Sequence, residues 1–159
     1  MQGGPQELLT TGTELVADVL ARFGRVRFRA LGTSMAPTIR SGDILDVRRC
    51  SPNQLSVGDI ALVRGSNGFL AHRLVGKYGR GDGMRIVTRG DAHWRNDSPF
   101  AIADVLGRVA GVSTAAREGF APARDCRVVK RLHGLAYSEW RRFIAGLQRA
   151  ARRLATWVR

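Results

Sequence analysis

Val26-Arg27-Phe28-Arg29-Ala30 alternates apolar and basic residues, the period of a strand with one face buried. The chain changes character at this point. Upstream, residues 7–23 (ELLTTGTELVADVLARF) place Leu8, Leu15, Val16, Val19, Leu20 and Phe23 on the face of an amphipathic helix, and Gly24 supplies a C-cap signal. Gly12 weakens the first part of that helix, which makes Thr13 a candidate N-cap. Downstream the pieces are short and apolar. Ile44, Leu45 and Val47 form a strand, Ser51-Pro52-Asn53 marks a turn, and residues 57–63 form a second strand entered through Gly58-Asp59. Gly65-Ser66-Asn67-Gly68 signals a hairpin that returns through 69–75. A glycine-rich loop at 79–83 and strands at 85–88 and 105–112 follow. The spacing predicts a mainly β fold: a folded antiparallel β module over residues 25–115, a helical segment at 1–24 and a basic tail at 116–159.

In that tail, Trp140, Phe143, Ile144, Leu147, Leu154 and Val158 recur at helical spacing, with Arg141, Arg142, Arg149, Arg152, Arg153 and Arg159 between them. Residues 121–159 hold ten basic and two acidic side chains, ten minus two giving +8. The whole chain carries 26 Lys+Arg against 13 Asp+Glu, a net charge of +13, which points to an anionic partner, either phospholipid headgroups or nucleic acid. Residues 135–159 suit either an anionic membrane surface or packing on the β module. Cys50 and Cys126 are too few for a disulfide framework and read as thiols. There is no run of about 18 apolar residues. Residues 1–6 have neither a basic nor an apolar leader region. The expectation is a cytoplasmic chain, with peripheral membrane contact through the tail as an option.

The chemistry concentrates in residues 32–43, Gly32-Thr33-Ser34-Met35-Ala36-Pro37-Thr38-Ile39-Arg40-Ser41-Gly42-Asp43. A serine held between Gly and Pro, in a tight turn between strands, can present its hydroxyl while backbone N–H groups face a developing oxyanion. The same pattern also serves as an ordinary turn. Further boxes follow in order: Val57-Gly58-Asp59-Ile60-Ala61-Leu62-Val63, Ala71-His72-Arg73-Leu74-Val75, Thr88-Arg89-Gly90-Asp91, Asn96-Asp97 and Leu106-Gly107-Arg108-Val109.

Taken together, these stretches resemble the signal peptidase I family. GTSMAPTIRSGDIL is similar to its nucleophile box, and the later segments are similar to those of its endoplasmic-reticulum, archaeal and sporulation type. The resemblance covers residues 28–109, more than half of the chain. It implies a serine endopeptidase that cleaves a peptide or precursor protein, as in signal-peptide processing, after small residues and without a cofactor or metal. The bacterial housekeeping type and the related self-cleaving SOS repressors use a Ser–Lys dyad. Here the corresponding position, just before Arg73, is His72, so the resemblance implies Ser34 as nucleophile and His72 as base. Serine needs such a base at neutral pH, and an imidazole, with an ordinary pKa of about 6.5, accepts the proton without the desolvation an amine requires.

The resemblance makes Asp97 the acid that steadies the imidazolium, with Asp91 orienting the loop or sharing the role; Asp91 also reads as a plain turn carboxylate after Gly90. His93 reads as a surface loop residue, and Lys77 as a residue near a loop, beyond the position a Ser–Lys base would take. A metal site built from His72, Asp91, His93 and Asp97 has no independent support. Asp43 and Asp59 read as turn hydrogen-bonders, and Met35 and Pro37 as structural parts of the nucleophile turn. Many bacterial members have a serine hydroxyl where Gly32 stands, which leaves the oxyanion donors open. Two other functions stand beside the protease: a nucleic-acid-binding relative of the repressor autoproteases, disfavoured by the lack of a helix-turn-helix pattern in 1–24, and a non-catalytic scaffold that keeps the fold.

Overall fold

The computed structural model describes residues 5–66, 68–114 and 119–122. Helix α1 runs over Pro5–Phe23. It passes straight through Gly12, so Thr13 is not its N-cap; the helix instead opens with Pro5, whose missing N–H and fixed φ suit a first helical position. It ends at Gly24, whose φ of +68° admits glycine far better than any side chain and whose N–H bonds the Leu20 carbonyl at 3.0 Å. That turn delivers the chain into β1 (Arg25–Arg29), where Val26 and Phe28 face inward and the arginines face out.

Seven more strands follow: β2 (Ile44–Arg48), β3 (Ile60–Gly65), β4 (Gly68–Tyr78), β5 (Arg85–Arg89), β6 (Phe100–Ala101), β7 (Val105–Ser113) and β8 (Ala121–Pro122). All pairings are antiparallel, in the order β1-β2-β7-β3-β4-β5-β6. The long β7 carries β2 on one edge and shares the other between β3 and β8. The mainly β architecture expected from the periodicity is the one observed. Two short strands, β6 and β8, escape the sequence pattern, and β8 carries the sheet past residue 115. Val57 lies outside its expected strand, half exposed, because the Gly58-Asp59 turn comes between. The expected helix in 133–159 lies outside the described residues.

β3 explains how the module holds together. Ile60 and Leu62 enter one apolar cluster with Leu20, Leu45, Val47 and Val109, whereas Ala61 and Val63 enter a second with Leu55, Leu74 and Ile86. A strand buried on both faces reads as a continuous apolar run, which is the pattern of Ile60-Ala61-Leu62-Val63. Each fully buried leucine or isoleucine contributes about 1.5–3 kcal/mol of transfer free energy. Helix α1 anchors on the first cluster through Leu20, with Val16 half-buried beside it. Leu15 and Phe23, expected on the same face, are instead exposed, Phe23 at 76 %. Leu15 lies about 100° around the helix from Val16, off the narrow stripe that touches the sheet.

Ser41-Gly42-Asp43 and Val57-Gly58-Asp59 build the same turn twice. Each glycine has φ of +96°, and each aspartate accepts a backbone N–H three residues back, from Arg40 and Ser56, at 2.8 Å. The first turn closes the segment that holds Ser34 onto β2, and the second sets the entry to β3.

Candidate active site

His72 lies on β4, one residue before the point where β5 begins to pair with it. Its side chain is buried, the residue being 4 % exposed, and both ring nitrogens are engaged. Nδ1 lies 2.7 Å from Asp97 Oδ2 and Nε2 lies 2.8 Å from Ser34 Oγ. The Asp97 carboxyl decides the tautomer. Burial pushes its pKa up, but hydrogen bonds from His72 and Thr88, with the charges of His72 and His93, outweigh that and hold it below the ordinary 3.8. An ionised carboxylate only accepts, so Nδ1 carries the proton and donates. In the neutral ring Nε2 is then bare and accepts from the Ser34 hydroxyl. That is the arrangement a general base needs: nucleophile, base and orienting acid in hydrogen-bonded sequence.

Asp97 is itself clamped. Thr88 Oγ1 donates to the same Oδ2 at 2.6 Å, and the Asp97 N–H donates to the Thr88 carbonyl at 2.8 Å. Thr88 is fully buried on β5, so the acid is referenced to the sheet rather than to its own loop. Sequence reasoning missed this residue; its signal was the Thr that opens the Thr88-Arg89-Gly90-Asp91 box.

Of the roles open to Asp91, the geometry matches the loop-orienting one and not a share in the contact with His72. Its carboxylate receives a two-pronged hydrogen bond from Arg73, Nε to Oδ1 at 2.8 Å and Nη2 to Oδ2 at 2.6 Å, and a third from Thr38 Oγ1 at 2.6 Å. Both members of the ion pair are buried. Arg73 also donates to the Gly58 carbonyl at 2.7 Å. Asp97, not Asp91, meets the imidazole because the loop after β5 turns Asp91 toward the nucleophile segment before bringing Asp97 back to β5.

The same loop cradles Ser34. The Ala92 N–H donates to the Ser34 carbonyl at 2.9 Å, and the Asp91 N–H points at the Met35 sulfur at 3.4 Å, with Met35 buried. Gly90 allows the close approach: a Cβ there would meet the Ser34 carbonyl oxygen at 2.6 Å, His93 Nδ1 at 3.0 Å and His72 Nε2 at 3.3 Å. Any side chain at position 90 would push on both Ser34 and His72. His93, exposed as expected, stands edge-on to His72 with ring centroids 5.9 Å apart. Lys77 is the next-to-last residue of β4, beside the 79–83 loop as expected, and its ammonium donates to the Pro52 and Leu55 carbonyls. Asp43 and Asp59 are the turn residues expected. Among the described residues no cluster of three or more His, Cys, Asp or Glu has the geometry of a metal site. Cys50 is a free thiol whose pKa burial pushes up; Cys126 lies outside the described residues.

Ser34 and His72 line a cavity of about 460 Å³ with otherwise largely apolar walls, among them Met35, Phe28, Phe69 and Ala71. Phe28 and Phe69 meet edge-to-face in its wall, 5.1 Å between centroids. Gly32, also in the wall, has φ of +89°, with no atom within 4 Å of where a Cβ would be. The serine that many members of the resembling family carry at this position would be strained here by the backbone rather than by crowding. No protein-family model matches the chain, and no curated protein aligns with it significantly.

Two outcomes follow from this geometry. Asp91→Ala strands a buried guanidinium and is expected to destabilise the fold by about 3–5 kcal/mol in urea denaturation, far more than a turn carboxylate would; a loss below about 1 kcal/mol contradicts the buried pair. For Asp97, a folded-state pKa below the ordinary 3.8 gives stability that is present above that value and lost as pH falls through the folded pKa. The stability difference between wild type and Asp97→Asn should hold from pH 7 down to about 4 and shrink below it. A difference that stays constant down to pH 3 contradicts the clamp.

Proposed function

We propose that the chain is a serine endopeptidase of signal-peptidase type that cleaves a peptide or precursor protein. The observation that supports this most is the unbroken relay from Ser34 Oγ to His72 to Asp97, with hydrogen bonds of 2.8 and 2.7 Å. Ser34 attacks the scissile carbonyl carbon while His72 Nε2 takes the hydroxyl proton. Asp97 steadies the imidazolium and remains ionised. His72 then returns the proton to the departing amine, leaving an acyl group on Ser34. A water, deprotonated by the same imidazole, releases the acid product and restores the serine. The cavity beside the pair is where the chain on the acyl side of the bond would lie, and small residues before the cut remain the expectation from the resemblance.

Arg73 and Asp91 enter as positioning residues. They touch no reacting atom, but hold the nucleophile turn and the loop after β5 in register. A scaffold that merely kept the fold would have no need of a histidine buried between a serine hydroxyl and an ionised carboxylate. Among the described residues no helix is long and apolar enough to cross a membrane. Membrane contact through residues 135–159 therefore stays a proposal about a segment outside the described residues.

Cleavage of peptides carrying small residues before the bond should fall about 1,000-fold or more in kcat/KM for both Ser34→Ala and His72→Ala. Asp97→Asn should lose about 1,000- to 10,000-fold in kcat while still binding substrate. Cleavage that survives Ser34→Ala would sink this function.

A further inference from the structure

We infer that helix α1 is part of the substrate-binding machinery, with Gly12 setting the depth of an apolar subsite; this rests on the peptidase function proposed above. Gly12, Val16 and Leu20 follow one another at four-residue intervals and so share one face of the helix. Along that face burial falls away: Leu20 is in the core, Val16 is half-buried, and Gly12 is open. Gly12 and Val16 line the same cavity as Ser34 and His72.

A glycine is a costly residue inside a helix. Its usual structural excuses are missing here. Position 12 takes no left-handed backbone, and a Cβ there would meet nothing within 4 Å. Packing therefore does not demand glycine. What glycine does is leave the cavity unfilled where α1 crosses it. The occupant must also reach Ser34, since the wall is continuous with the nucleophile. It is an apolar side chain of the peptide being cleaved, on the acyl side of the bond and beyond the small residue next to it, so that an alkyl arm on boron must pass that small-residue space to reach it. The β4 part of the wall supports this: residues 68–72 are unpaired by β5, and Phe69 lines the same cavity.

Alkylboronic acids test the idea without knowledge of the natural substrate. The Ser34 oxygen adds to the empty orbital of boron, its proton passes to His72, and the alkyl arm enters the cavity; no group leaves. Calorimetry should show hexylboronic acid binding wild type at least about tenfold tighter than methylboronic acid, since each buried methylene is worth roughly fourfold. Gly12→Leu, a substitution that favours the helix, should cut that chain-length advantage about fivefold or more while methylboronic acid binds within about twofold of wild type. Gly12→Phe should do the same, and keeps the test open if one variant fails to fold. An unchanged hexyl advantage in a folded variant overturns the α1 subsite and leaves the peptidase untouched. Failure of wild type to bind either acid through Ser34 removes the peptidase function and the subsite with it.

Discussion

Arg73 stands one residue past His72 on β4, and its guanidinium forks onto Asp91 in a site closed to water. In low dielectric neither charge tolerates solitude, so the pair dictates where both segments run. The third hydrogen bond of Arg73 reaches the Gly58 carbonyl, and Thr38 bonds the same carboxylate oxygen that the guanidinium uses. Strand β4, the turn before β3, the nucleophile turn and the loop after β5 therefore meet at one side chain. Ser34, Gly90 and Ala92 lie a few residues along these same segments. A contact that takes no part in the relay thus decides whether Ser34 stands within reach of His72.

The relay itself follows from polar groups that each have few options. Thr88 and the His72 Nδ1–H satisfy one oxygen of Asp97, which keeps the carboxyl ionised in spite of its burial. The ionised acid fixes the tautomer, and the tautomer leaves Nε2 to face the hydroxyl. Among the described residues no buried side-chain nitrogen or oxygen lacks a partner. Such complete satisfaction holds each group in place, and in the proposed peptidase preorganised dipoles of this kind would lower the barrier to charge development.

Much of this is readable in the chain, for reasons that differ by element. The strand pattern survives because β3 is apolar on both faces and β1 alternates cleanly. Ser34 and His72 are readable only because several short boxes follow one another in one order; the Ser34 turn by itself reads equally as an ordinary turn. The division of labour between Asp91 and Asp97 comes from the resemblance alone, since residue type and spacing do not separate them. Both follow β5 in one loop, six residues apart, and only the path of that loop sends one to Arg73 and the other to His72. Thr38 and Thr88 are similarly silent, since a threonine in a turn or a strand announces nothing until its partner, 53 or 9 residues away, is in place. Leu15 and Phe23 fall off the buried face because periodicity reports that a stripe exists, not how wide a surface it meets.

In the proposed peptidase, His72 makes Ser34 a nucleophile. A fluorophosphonate tests this directly: Ser34 Oγ bonds to phosphorus, fluoride departs, and the proton goes to the imidazole. Intact-mass analysis with peptide mapping should find one adduct, on Ser34, formed about 100-fold or more slowly in His72→Ala. An adduct elsewhere, no adduct, or Ser34 labelling at the same rate without His72 would contradict the account.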